Sequence, residues 1–330
     1  MSALTLGQNM RYLSRAEVVN LGITRTTVLE KVHQALVEHG NKRYEMPAKI
    51  GVHPYEDVFF HAMPAYIPEM KVVGAKWIEC YPRNPREFNL PQTTGVLCLN
   101  DVETGVPTTL MDSTWLTAAR TPAVTVLMAK KLHPGAKRFG MFGAGVQGRE
   151  HVRYAAEHLD SLSEIVVYDR FPEVAEKLVA DLQPDVGVRL RVGTSIEQVV
   201  KECEVLSSAT LVVREPMALA KSEWVSAGQT ILPCDLNTFW DPEIPLRADV
   251  YITDSTEEHD LFVEMGYYPG GSPVIAAESG EVLADLKPGR TSADQLIVNS
   301  NIGMAVCDMA VAQAIHEAAE AQGAGTLLEL

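Results

Sequence analysis

A glycine-rich hexad, Gly143-Ala144-Gly145-Val146-Gln147-Gly148, follows the apolar run Phe139–Phe142 directly and opens a stretch of helical character over 147–158. The G-x-G-x-x-G spacing has a mechanical meaning only in that setting, between a buried strand and a helix. Gly143 permits the tight turn, Gly145 lets the backbone approach a pyrophosphate, and Gly148 allows close packing of helix on strand. The first helical N–H groups and the helix dipole then face the phosphates. From residue 137 onward the pattern predicts strands at 138–142, 165–168, 189–192, 205–209, 230–232 and 250–253, with helices at 147–158, 172–182 and 196–203 between them. Strand and helix in turn at this spacing predict an α/β fold with a doubly wound, Rossmann-type parallel sheet.

The second strand ends at Tyr168-Asp169-Arg170, and Asp169 lies 21 residues beyond Gly148. A carboxylate there accepts hydrogen bonds from the adenosine ribose and repels a 2′-phosphate, so NAD(H) is expected in preference to NADP(H). Arg170 pulls the other way, because a guanidinium pairs with phosphate. The expected cofactor contacts are Gly143, Ala144, Gly145, Val146, Gln147, Asp169 and Arg170, together with Thr121 and Thr210. The competing reading is a glycine-rich turn that holds no ligand.

The first 130 residues mix helix and strand, as in an α+β domain. Ser14 and Glu17 have the spacing of a capping box, and Val28, Leu29, Val32, Leu36 and Val37 give the next helix one apolar face, with Gly40 expected just past its end. Strand character falls at 49–52, 58–63, 72–81, 95–99 and a segment ending near Met111. Asp112 or Ser113 can cap a helix that Thr121-Pro122 is expected to interrupt and restart, leaving Arg120 at the break and aimed into a cleft. The last helix, 303–322, is expected to return to the first domain. The predicted domains are 1–122 with 303–330, and 123–302.

Charge and cysteine usage narrow the function. With 28 Lys+Arg against 43 Asp+Glu the net charge is −15, which disfavours nucleic acid and anionic membrane surfaces as partners. No apolar run reaches the ~18 residues of a membrane span, and Met1-Ser2-Ala3-Leu4 lacks the basic head and apolar stretch of a signal peptide, so a cytoplasmic protein is expected. Cys80, Cys98, Cys203, Cys234 and Cys307 form no CxxC pair and have no histidine at ligand spacing, so neither disulfide nor metal is expected. His61, His133, His151 and His316 are scattered and read as surface or satisfied core residues. Against the acidic background, Lys49, Lys76 and Arg120 stand in apolar, turn-rich segments and suggest an anionic substrate.

Gly74-Ala75-Lys76-Trp77, Tyr81-Pro82-Arg83-Asn84-Pro85, Asp101-x-x-Thr104-Gly105-x-Pro107, Met111-Asp112, Leu116–Thr121 and the glycine loop occur in an order and spacing that resemble the ornithine cyclodeaminase/mu-crystallin family, as does Pro288-Gly289-Arg290. The resemblance implies a homodimer, with an N-terminal substrate-binding and dimerisation domain completed by the last helix. It also implies hydride transfer between a nicotinamide and the α-carbon of an amino or imino acid. By position, Arg120 would clamp the substrate carboxylate, Lys76 would polarise or protonate the substrate nitrogen or a water, and Lys49 would stand where many relatives carry an arginine for the same carboxylate. Relatives that cyclodeaminate carry a catalytic aspartate in a Gly-x-Asp stretch, and here Asn237 takes that position with Asp235 at the glycine. Asn237 cannot accept a proton from an amine, so cyclodeamination would need Asp235 to substitute. Arg83 and Arg86 are candidates for a second carboxylate, which points to a dicarboxylic imine such as iminosuccinate, reduced to aspartate. The expected activity is thus NADH-dependent imino-acid reduction, against ornithine or lysine cyclodeamination and a non-enzymatic, mu-crystallin-like binder.

Overall fold

The computed structural model describes residues 4–236 and 238–330, arranged as two compact units, Met1–Arg120 with Met304–Leu330, and Thr121–Gly303. In the first unit the capping box forms as read: Ser14 N–H donates to Glu17 and Glu17 N–H to Ser14 Oγ, opening the helix Arg15–Asn20. The helix Arg25–Gly40 includes Gly40 and is followed by Asn41, with Lys42 as the left-handed residue at φ 58°, so the glycine is not the stop expected of it.

One strand precedes these helices, β1 (Asn9–Leu13), and five follow them, β2 (Ile50–Val52), β3 (Phe59–Ile67), β4 (Val72–Cys80), β5 (Thr93–Asn100) and β6 (Pro107–Asp112). In β4 the side chains of Val72, Gly74, Lys76 and Ile78 alternate inward, the period-2 pattern of a sheet with one face buried. Gly74 has to be glycine: a Cβ there would lie 2.2 Å from Cys98 O and 3.1 Å from Met309 Sδ. Its bare backbone lets the helix Ala305–Gln322 settle on this face, one residue pair from Lys76.

The second unit carries eight parallel strands: β7 (Arg138–Phe142), β8 (Glu164–Tyr168), β9 (Arg189–Val192), β10 (Val205–Ser208), β11 (Thr230–Pro233), β12 (Val250–Thr253), β13 (Ile275–Glu278) and β14 (Ile297–Ser300). Their order, β13-β12-β14-β11-β10-β7-β8-β9, reverses direction of growth at β7, so the loops after β7 and β10 flank the switch point where such sheets bind ligands. The chain then returns to the first unit through the helix Ala305–Gln322 and β15 (Thr326–Glu329), completing a seven-stranded sheet of order β15-β1-β6-β5-β4-β3-β2 in which only the β1–β6 pairing is parallel. The α/β class, doubly wound with an α+β companion, is borne out.

Helix Thr114–Leu132 corrects the expected break at Thr121-Pro122: it is continuous, with Pro122 inside it. Proline at an interior position costs about 3 kcal/mol. Residues 119–129 are all buried, Val124, Val126, Leu127 and Met128 among them, and each such side chain contributes roughly 1.5–3 kcal/mol on leaving water. Burial therefore outweighs the missing N–H, and Arg120 projects from an intact helix. The Pro288-Gly289-Arg290 motif is a staple: Arg290 donates to Leu132 O at the end of that helix (2.9 Å), to Gln295 O (2.7 Å) and to Thr230 Oγ1 at the start of β11 (2.7 Å).

Candidate active site

In the first unit three cations of the sequence reading are buried, Lys76 at 1 %, Arg120 at 7 % and Lys49 at 7 % exposure. Two of them share a counter-ion that the sequence reading missed. Asp308, wholly buried in the first turn of Ala305–Gln322, lies 2.6 Å from Lys76 Nζ through Oδ2 and 3.1 Å from Arg120 Nε through Oδ1. Its signal in the sequence is a lone carboxylate in the otherwise small and apolar run Ala305-Val306-Cys307-Asp308-Met309-Ala310-Val311. Burial pulls the Lys76 ammonium down to about 8. Asp308 opposes that pull, while Arg120 and Lys49 add to it. Asp308 engages Arg120 at Nε, and among the described residues no hydrogen bond takes up the two terminal nitrogens of the guanidinium fork, which can face a carboxylate.

Arg83 and Arg86 do not join this cluster. Both are exposed on the short helix Asn84–Glu87 or at its cap, Arg83 4.0 Å from Glu87 and stacked 5.5 Å from the Tyr55 ring. With both at the surface, neither supports a second carboxylate beside the buried cations.

In the second unit the glycine loop has the geometry its spacing requires. Gly143 sits at φ 93°, and a Cβ there would lie 2.6 Å from Ala209 O. A Cβ at Gly148 would lie 1.9 Å from Gly143 O, so helix Val146–His158 packs on the turn as only glycine allows. A Cβ at Gly145, the N-cap, would meet nothing within 4 Å. Open space over the first N–H groups of a helix is the fit a pyrophosphate needs. Val146 is exposed and Gln147 half-buried beside it. Asp169 is anchored over this loop, accepting from Ala144 N–H (2.8 Å) through Oδ2 and Phe171 N–H (2.9 Å) through Oδ1. The Arg170 guanidinium lies 4.6 Å from the Phe171 ring.

Asp235 is also an anchor, though of a different kind. Fully buried, it accepts from Ser208 Oγ (2.7 Å), Thr210 N–H (3.0 Å) and Thr210 Oγ1 (2.6 Å), while Trp240 Nε1 donates to Ser208 Oγ (2.8 Å). Burial pushes its carboxyl up, against the pull of those donors. The carboxylate thus ties the end of β10 to the end of β11, a structural commitment at odds with the proton-accepting part considered for it. Thr210 is held by Asp235, and Thr121 is buried, its carbonyl accepting from Asn301 Nδ2 (3.2 Å). Asn237 lies outside the described residues. On the buried face of the glycine-loop helix, His151 donates from Nδ1 to Gln147 O (2.8 Å), which leaves Nε2 as acceptor for Thr125 Oγ1 (3.0 Å). Burial pushes this imidazole down to about 4.

The ornithine cyclodeaminase/mu-crystallin family model matches residues 9–323. The chain belongs to that family. The resemblance read from the motifs is borne out over nearly the whole length. Nodulation efficiency protein NfeD from Rhizobium meliloti is 32% identical over 97% of this chain and 98% of its own. Among solved structures, the Thermococcus litoralis Δ1-pyrroline-2-carboxylate reductase in complex with NADH and L-proline is similar with TM-score 0.85 and 27% identity, covering 96% of this chain and 99% of that one. An archaeal alanine dehydrogenase dimer with bound NAD gives TM-score 0.86 and 29% identity, covering 97% and 99%. Among the described residues no cluster of side chains could hold a metal ion, and no helix is long and apolar enough to cross a membrane.

Proposed function

We propose that this family member is an NADH-dependent reductase of a small 2-imino acid, acting in reverse as an amino-acid dehydrogenase. The observation that carries the reading is the buried Lys76–Asp308–Arg120 arrangement. It supplies a proton donor and a carboxylate fork at fixed separation, which is what imine reduction asks of a protein beyond its cofactor. When bound, the nicotinamide supplies the hydride that adds to the imine carbon. Lys76 delivers the proton to the nitrogen, so C=N becomes CH–NH, and its depressed affinity for that proton suits transfer near neutral pH. Arg120 holds the α-carboxylate, Lys49 adds charge, and the Gly143–Gly148 loop with Asp169 takes the dinucleotide. The similarity to reductases and dehydrogenases solved with NADH or NAD supports the cofactor, and the archaeal dimer supports a homodimer.

The finer reading is a dicarboxylic imine such as iminosuccinate. With Arg83 and Arg86 at the surface, its support rests on the buried cations. Cyclodeamination is less well served, because Asp235 is committed to three donors. The test is NADH oxidation with 2-oxo acids plus ammonia, including oxaloacetate, beside proline formation from ornithine. Turnover of the former, lost on Lys76→Ala, is expected. Ornithine turnover alone would overturn the reading.

A further inference from the structure

His61 matches neither description given to it by the sequence, being neither a surface histidine nor a satisfied core one. It stands on the inward face of β3, paired with Ile78, while Met63 pairs with Lys76. His61 and Lys76 are therefore diagonal neighbours on one face, with Cα atoms about 7–8 Å apart. The imidazole is only 7 % exposed, yet no hydrogen bond engages either ring nitrogen among the described residues. Its orientation is fixed. The Phe59 ring stacks on it at 4.1 Å and 13°, and the bare Cα of Gly51 closes one edge, where a Cβ would lie 2.5 Å from Cδ2. Burial, with Lys49, His53 and Lys76 nearby, pushes it down to about 3, so the ring is neutral and carries one N–H donor.

A clamped ring whose nitrogens no described residue engages, and which are not sealed from the outside, takes its hydrogen-bond partner from there. The surrounding charge decides which. A cationic side chain would be repelled by Lys49 and Lys76, and an aliphatic one would leave the N–H unpaired; an anionic oxygen acid meets both conditions. We propose that His61 is a specificity-determining residue that donates its N–H to a distal carboxylate on the substrate side chain. This rests on the imino-acid reductase reading, for which it names the substrate class.

The test uses the full-length protein with His61→Leu, which keeps bulk and removes the donor, and His61→Asn, which restores an N–H. For wild type, kcat/KM with oxaloacetate and ammonia should exceed that with pyruvate and ammonia. His61→Leu should lower the first by about tenfold or more and leave the second within about twofold, with partial recovery in His61→Asn. Equal losses on both substrates, or none on either, overturn the assignment. Calorimetric titration of the NAD-loaded protein with succinate and with propionate separates this from the reductase reading. A succinate preference that His61→Leu abolishes, without turnover of any imine, sinks the reductase reading and keeps the distal-carboxylate site. A preference that is absent from wild type, or that survives in His61→Leu because only water meets the ring, sinks the site.

Discussion

Asp308→Asn removes one negative charge from between two buried cations and changes almost nothing in shape. In the native protein Asp308 lies 2.6 Å from Lys76 and 3.1 Å from Arg120 with no exposed surface. Breaking a buried ion pair from one side costs about 3–5 kcal/mol, because the remaining charge is left uncompensated in a medium that solvates it poorly. Urea unfolding should report a loss of that order. The same substitution removes the influence that holds Lys76 up against burial and against Arg120. An opposite charge at such range shifts a neighbour by about 1–3 pH units. In the proposed reaction the ammonium is the form that donates, so activity should fall as pH rises through its pKa. The alkaline limb of the kcat/KM profile, near pH 8 in wild type, should therefore move to lower pH in Asp308→Asn. Asp308→Glu keeps the charge but is too long to hold both cations at once, so its rate should fall while its alkaline limb stays close to wild type. An Asp308→Asn protein with native stability and an unmoved limb would refute the argument.

Two glycines of one loop should behave in opposite ways. Gly148→Ala places a methyl 1.9 Å from Gly143 O and should impair folding of the second unit, seen as loss of cooperative melting. Gly145→Ala meets open space and should melt like wild type, while NADH affinity measured by fluorescence titration falls by about tenfold or more. Stability should also decline on the acid side. His61 and His151 titrate at about 3 and about 4 when folded, below the 6.5 of an unfolded chain, so the unfolded state binds the extra protons and stability present above pH 6.5 is lost as pH falls toward 4. Near pH 5 the two together give a slope on the order of 2–3 kcal/mol per pH unit, which His151→Gln should roughly halve.

The sequence was most informative where function and local geometry coincide. Gly143, Gly145 and Gly148 announce a turn, an open approach and a tight helix contact, and each is found so. The Ser14–Glu17 capping box and the alternation along β4 are likewise local properties, complete within a few residues. What escaped depended on distance along the chain. Asp308 meets Arg120 across 188 positions, and no periodicity encodes such a meeting. Pro122 signals a break that only the burial of its helix overrides. Strands β1, β13, β14 and β15 also escaped: the equally short β7 to β12 were legible through their regular alternation with helices, and these four stand outside that run. Arg83 and Arg86 resembled ligand-binding residues in composition, and their direction was set by a helix of four residues.

The second unit is one uninterrupted stretch, Thr121–Gly303, whereas the first is made from both ends of the chain. During synthesis on a ribosome, the parallel sheet can therefore emerge and close on itself while the unit around Lys76 still lacks its final helix and strand. Until Asp308 leaves the exit tunnel, Lys76 and Arg120 have no shared counter-ion, and the inner face of β3 and β4 is without the helix that covers it. The buried charge cluster to which we assign proton donation is thus the last part of the molecule to be assembled. A nascent chain truncated before residue 304 carries a complete nucleotide-type fold and an unfinished active site.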